Sequence, residues 1–184
     1  SEVTSLLPGR INRTSTNSGE IQSEFVVLGC NGYLGNLHQK VAAKVMPINS
    51  FIVATEPLGD RAKSVLAKDI AVADTKFVVN YFRLSKDKRL LFGGGEKYTY
   101  KFPKNITSTV LKPMLEIFPQ LSNVKIDYAW GGTLGITRQR MPYFSRVTDT
   151  ILSVSGYSGH GLGTATHAGK LISMAINGQQ DGFN

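Results

Sequence analysis

Cysteine, tryptophan, acidic residues and long apolar runs are all scarce in this sequence, and each scarcity removes a class of protein. The single cysteine, Cys30, cannot close an internal disulfide, which excludes a disulfide-stapled scaffold and fits a reducing compartment. No apolar run approaches the roughly 20 residues that a membrane-spanning helix needs, so no membrane partner is expected. The opening residues, SEVTSLLPGR, lack the charged start, apolar stretch and small-residue cleavage site of an export signal, and the expected location is cytoplasmic. Only three histidines occur, and His160 and His167 have no cysteine or acidic companion at ligand spacing, so no metal site is expected. Thirteen acidic against 21 basic residues leave a net charge of +8. The cations are scattered. Their densest group, Arg83, Lys86, Lys88 and Arg89, surrounds Asp87 as in a solvated hairpin. A phosphate-tracking surface would show a basic stripe with interleaved aromatics, so no nucleic-acid partner is expected, although a basic surface favours approach of an acidic small molecule.

What is present is enough for one good core or two small ones in 184 residues. Residues 10–16 and 20–28 flank the polar turn Asn17-Ser18-Gly19 and read as a β-hairpin whose second strand ends at a Gly/Asn loop. Residues 37–44 and 61–68 read as short helices. Residues 49–55, 71–73, 76–84 and 89–92 read as successive strands with short polar links, which implies an antiparallel sheet. Residues 106–118 carry apolar side chains at helical spacing, with Thr107 or Ser108 as the cap and Pro113 as an interior kink or a later start. Residues 124–130 alternate as a half-buried strand does and then meet Gly131-Gly132. Residues 137–142 read as loop.

The chain culminates in GYSGHGLGTATHAGKLISMAING, residues 156–178. A β-prone run at 151–154 feeds a turn with Gly156, Gly159, Gly161 and Gly163, and from Thr164 the pattern is that of a small-residue helix. Such a turn lets another body approach the backbone, and the helix start offers N–H groups and a positive dipole end to an electron-rich ligand edge. A tight turn before a close-packed helix is the alternative.

Other chemistry reads poorly. Ser158, His160, His167 and Asp149 invite a hydrolase, but the G-x-S-x-G elbow requires glycine where His160 stands. Cys30 has no activating cation nearby and reads as a small packed residue. Trp130, the only tryptophan, reads as core packing, with a ligand-pocket wall as the alternative.

Six stretches are jointly more specific than any one alone: GCNGYLG, SFIVATEPL, NYFRLSKDKRLLFGG, IFPQLSNVKIDYAWGG, RMPYFSRV and GYSGHGLGTATHAGKLI. In this order the chain resembles, from about residue 19 to 179, the C-terminal half of FAD-dependent amine oxidoreductases of the D-amino-acid-oxidase superfamily, most closely the branch that oxidises γ-glutamylputrescine. The resemblance implies an α+β fold: an antiparallel-sheet substrate domain with helices (41–140), flanked by the C-terminal pieces of an FAD-binding α/β domain (1–40 and 141–184). The opening βαβ unit with G-x-G-x-x-G is not in this sequence. The expectation is therefore a fragment whose missing N-terminal FAD-binding segment is its partner, and which alone is inactive.

The same resemblance implies FAD contacts from Cys30, Asn31, Gly32 and Tyr33, from Gly131 and Gly132, and from Tyr157, Ser158, Gly159, His160, Gly161, Leu162, Gly163 and Thr164. His160 is the candidate for a catalytic role, and Tyr81, Arg83 and Trp130 are candidates for the substrate wall. Relatives acting on α-amino acids place an arginine where this chain has Leu134, and N-methyl amino-acid oxidases place a lysine where it has Gly163. Without either clamp a carboxylate beside the reacting carbon is poorly held, the alternative being that the missing segment provides the arginine. The implied small-molecule substrate is an amine at the end of a longer molecule, such as a γ-glutamylated diamine, oxidised to an imine that hydrolyses to an aldehyde. An oxidase or dehydrogenase of small amino acids, and a non-catalytic binding module, are the alternatives.

Overall fold

The computed structural model describes residues 1–99 and 101–179. The chain divides into two compact units, one formed by Ser1–Pro47 with Leu134–Asn184, the other by Ile48–Thr133.

In the first unit, β1 (Val3–Leu7), β2 (Asn12–Thr16) and β3 (Gly19–Ser23) form an antiparallel meander. The expected single strand over 20–28 is in fact two. The fully buried Asn12 donates its Nδ2 to the carbonyls of Ser23 and Glu24, at 3.4 and 2.8 Å, which ends β3. The chain then turns into β4 (Val26–Leu28) in a different sheet. The 37–44 helix shortens to α1 (Gln39–Ala42), capped by His38, whose Nδ1 receives the Val41 N–H.

β5 (Met46–Thr55) leads into the second unit. Of the helix expected over 61–68, only α2 (Ala62–Val65) forms, because Leu66 is already extended. β6 (Val72–Ala73), β7 (Tyr81–Leu84), β8 (Leu90–Lys97) and, after α3 (Ile106–Ile117), β9 (Ile126–Ile136) complete a sheet ordered β6-β7-β8-β5-β9. The neighbouring pairs β5–β8, β8–β7 and β7–β6 are each antiparallel. The strand expected at 76–84 begins only at Tyr81: the Asp74 carboxylate collects the N–H groups of Lys76 and Asn80 and the Asn80 side-chain amide, holding that stretch as a loop. α3 is capped by Asn105, which accepts from the Ser108 N–H at 3.1 Å, and it runs through Pro113. Thr107 and Ser108 lie inside it.

Alternation sorts the sheet's two faces. Phe51 and Val53, Leu84, and Leu90 and Phe92 point to one side, where they pack with Val110, Met114 and Phe118 into the unit's core. Phe82 stacks on Phe92 with centroids 5.6 Å apart and meets Phe118 edge-on at 5.0 Å. At the β7–β8 hairpin, Arg89 reaches Asp127 at 2.5 Å, Asp87 at 2.7 Å and the Thr55 carbonyl at 2.9 Å, with Tyr128 beneath its guanidinium. The strand expected to stop at Gly131-Gly132 instead continues to Ile136. Gly131 lies where a Cβ would strike Phe51 and Phe102, and Thr133 anchors the next residues by bonding the buried Asn49 Oδ1 at 2.8 Å.

Back in the first unit, β10 (Tyr143–Arg146) pairs antiparallel with β11 (Ile151–Ser155), which pairs in parallel with β4. Every residue of β11 is buried, as expected of a strand covered on both faces. Leu152 and Val154 pack under α4 (Gly161–Ile176) through Ala168 and Ile172, while Ile151 joins Leu28 and Val41 on the other side. α4 begins at Gly161 rather than Thr164, because the turn closes early through His160 N–H to the Tyr157 carbonyl at 2.9 Å. No helix among the described residues is long and apolar enough to cross a membrane.

Candidate functional site

Positive φ values at Gly156 (71°), Ser158 (53°) and Gly159 (93°) reverse the chain between β11 and α4. Gly156 is required twice over: by its backbone angle, and because a Cβ would lie 2.5 Å from Thr137 Cγ2. Its N–H donates to Asn31 Oδ1 at 3.0 Å, and the same carboxamide sits against Gly135, where a Cβ would overlap it. Ser158 donates its N–H to the Gly135 carbonyl at 3.0 Å and its hydroxyl to the Gly156 carbonyl at 3.1 Å. Residues 31, 135–137 and 156–158, distant in sequence, are thus laced into one loop support within the first unit.

This lacing divides the residues expected to contact a cofactor. Asn31 Oδ1 and the Ser158 hydroxyl are committed to internal bonds, and Gly32, Tyr157 and Ser158 are buried. Burial pushes up the Tyr157 phenol, and also the thiol of half-buried Cys30. Gly159, His160, Leu162 and Gly163 are exposed, with Leu162 at 98% of its full surface, and Gly161 and Thr164 are half-buried. Tyr33 is exposed on a 3-10 turn, Asn31–Tyr33. No side chain caps the start of α4 and no acidic residue lies in its first turn. Its leading N–H groups have no intrahelical acceptor, so positive potential collects at residues 161–163. A Cβ at Gly159 or Gly163 would meet no atom of the described residues.

The second unit brings Tyr81, Arg83 and Trp130 together. On the sheet face turned away from α3, the alternate residues Tyr81 and Arg83 of β7, Leu91 and Gly93 of β8, Ile52 of β5 and Trp130 of β9 line an apolar cavity of about 190 Å³. Tyr81 and Arg83 stand opposite Gly93 and Leu91 in register. Gly93 is what lets the Tyr81 ring lie down across the strand, for a Cβ there would overlap it. The Tyr81 hydroxyl lies 3.3 Å from Ser50 Oγ. Trp130 is 44% exposed and Tyr81 37%, so Trp130 is a wall rather than core packing. Gly131 and Gly132 separate: Gly131 faces the core, while Gly132, on the face of Trp130, has open space around it. Ile52, Leu91 and Gly93 were missed as cavity residues. The signal for them was the two-residue alternation of β5 and β8.

Of the other reactive groups, the Ser158 hydroxyl donates to the Gly156 carbonyl and faces the Thr137 N–H, and among the described residues it makes no hydrogen bond to His160, His167 or Asp149. Among the described residues, no group of three or more His, Cys, Asp or Glu side chains converges to hold a metal.

Comparison with known proteins gives a concordant result. A family model described as FAD dependent oxidoreductase, or DAO, matches residues 1–174. The chain is 46% identical over 164 residues to a probable oxidoreductase OrdL of Rhizobium meliloti strain 1021, covering 89% of this chain and 38% of that one. It is 38% identical over 172 residues to gamma-glutamylputrescine oxidoreductase of Escherichia coli K12, covering 92% and 40%. Among solved structures, glycine oxidase from Geobacillus kaustophilus superimposes with a TM-score of 0.77 at 17% identity, over 100% of this chain and 50% of that one. The chain therefore spans about two-fifths of the length of the curated relatives it matches. With a parallel strand pair in the first unit, an antiparallel sheet in the second, and a family match over nearly its whole length, this chain belongs to the DAO family of FAD-dependent oxidoreductases.

Proposed function

We propose that the polypeptide carrying this chain is an FAD-dependent amine oxidoreductase, that Ile48–Thr133 is its substrate domain, and that the flanking segments belong to its FAD-binding domain. The observation that carries this reading is the start of α4, whose leading N–H groups are uncapped by any side chain and flanked by glycines with open space. These residues fit a flavin edge: an electron-rich carbonyl could approach Gly159–Gly163 without striking a Cβ, and negative charge developing there would be stabilised. When bound, the flavin supplies the two-electron oxidation of an amine to an imine, which water converts to an aldehyde. The chain's own residues position and polarise. His160, exposed at the helix start, adds a hydrogen-bonding group; Leu162 and Thr164 flank the approach; Cys30, Gly32 and Tyr33 form a second wall, braced by Asn31; and Tyr157 anchors the loop from beneath.

For the substrate we propose an amine at the end of a longer molecule, a γ-glutamylated diamine. Leu134 and Gly163 supply no cation for a carboxylate beside the reacting carbon, and the cavity at Tyr81 and Trp130 is apolar and aromatic. The name of the Escherichia coli relative points to the same class. The decisive experiment replaces Gly163 by leucine in the full-length polypeptide. A Cβ there meets no atom of the described residues, so folding is retained, while a leucine beside the flavin edge shifts the absorption spectrum of the bound flavin or lowers its content. Flavin spectrum and flavin content both unchanged would refute the assignment. Faster turnover of simple D- or L-amino acids than of γ-glutamylated diamines would refute the substrate.

A further inference from the structure

Arg83 lines two cavities of the second unit and, among the described residues, is the one their linings share. The first is the apolar slot of Ile52, Tyr81, Leu91 and Trp130. The second, about 610 Å³, lies beside α2 and the β7–β8 hairpin and is lined by Lys63, Lys68, Lys86 and Lys88, with Asp60 and Asp69 the only acids among the described residues of its lining. Counting Arg83, five cations face two carboxylates.

The local hydrogen bonds keep that charge available. Asp87, the acid nearest the hairpin lysines, is occupied by the Ser85 hydroxyl at 2.6 Å and by Arg89 Nε at 2.7 Å. None of the four lysines makes an ion pair among the described residues. Arg83 reaches Asp69 only at 3.9 Å, with 57% and 83% of the two side chains exposed, a pairing that solvent screens heavily. Its Nε leans on the Leu84 carbonyl at 3.4 Å, which orients the guanidinium while leaving most of its fork for another acceptor.

We infer that Arg83 binds a carboxylate at the far end of the substrate, with the surrounding lysines supplying attraction and the apolar slot taking the intervening methylene chain. Tyr81 and Arg83 are two residue steps apart on β7, so the anionic group and the apolar contact lie roughly 7 Å apart along the strand. A molecule that carries its carboxylate at the end of a chain several bonds long reaches both contacts at once; a small α-amino acid does not. The basic cavity thus selects for a remote carboxylate, where a clamp at position 134 or 163 would select for an adjacent one. This inference rests on the amine-oxidoreductase reading.

The test uses the full-length flavoprotein and two substrates that share a primary amine and a four-carbon chain, γ-glutamylputrescine with its carboxylate and N-acetylputrescine without. Losing a charge-assisted hydrogen bond to carboxylate corresponds to about ten- to a hundredfold. Arg83→Ala is expected to raise KM for γ-glutamylputrescine, with kcat within about twofold, so that its kcat/KM falls by that factor relative to the kcat/KM for N-acetylputrescine. Arg83→Lys should recover part of the loss, and Arg83→Ala should flatten the salt dependence of kcat/KM for the carboxylated substrate alone. Equal effects on both substrates, or no effect on either, overturn the inference while sparing the amine-oxidoreductase reading. A flavin-loaded wild type that oxidises neither amine overturns both.

Discussion

Replacing Asn31 tests whether the loop between β11 and α4 is held from within the first unit. Its Oδ1 is the acceptor for the buried Gly156 N–H at 3.0 Å, and its own backbone stands at φ 48°. Asn31→Gly keeps the backbone conformation accessible and removes only the acceptor, leaving a buried donor unsatisfied at about 1–3 kcal/mol. Asn31→Ala removes the acceptor and also forces a Cβ-bearing residue without a compensating side-chain bond into the left-handed region, for a further 1–2 kcal/mol or so. The order of stability should therefore be wild type, then glycine, then alanine. Hydrogen exchange at the Gly156 amide reads the local effect, and 1–3 kcal/mol corresponds to exchange faster by roughly 5- to 150-fold. Exchange in Asn31→Gly within twofold of wild type would refute the bracing argument. Alanine more stable than glycine would refute the backbone argument.

Gly93→Ala drives a methyl group into the Tyr81 ring and should destabilise the second unit by about 1–3 kcal/mol in denaturant titrations; the loss should shrink in the Tyr81→Ala background, and purely additive effects would contradict the contact. The Asp127 carboxyl is held below its usual range by hydrogen bonds from Arg89 and then Lys125, and that of Asp87 by Ser85 and then Arg89. A carboxyl depressed in the folded state stabilises fully above its unfolded value near pH 4 and loses that contribution as pH falls through the folded value. Asp127→Asn should accordingly flatten the stability profile below about pH 4 relative to wild type, as measured by urea midpoints across pH. Burial raises the Cys30 thiol, so alkylation by iodoacetamide at neutral pH should be slower than for a free thiol and should accelerate on unfolding, as read by mass spectrometry.

Where the sequence is most periodic, its reading and the structure agree. The apolar spacing of residues 106–118 became α3, and the β-prone runs at 49–55 and 151–154 became β5 and β11. Misreadings fall where one polar side chain redirects the backbone. Asp74 captures three N–H groups and cancels a strand over 76–80, and Asn12 takes two carbonyls and divides 20–28 between two sheets. Neither bond has a periodic signature, because its partners are fixed by tertiary packing. The aromatic candidates Tyr81 and Trp130 were legible as residue types. Their convergence was not, since it depends on β7 and β9 being separated by β8 and β5 in the sheet order.

Two glycine pairs show why a motif reads as one feature and functions as several. Gly131 and Gly132 are adjacent, yet alternation turns the first against Phe51 and Phe102 and the second toward open space. Gly156 and Gly163 bracket a single glycine-rich run, yet the first is dictated by its φ of 71° and by Thr137, while no atom of the described residues is close enough to forbid a Cβ at the second. Packing within each unit therefore accounts for Gly131 and Gly156 with no ligand at all, and substitutions there report on folding. Gly132 and Gly163 have no such internal account. Substitutions that leave folding intact but change flavin content or turnover are expected at these two positions, which makes them the more informative half of each motif.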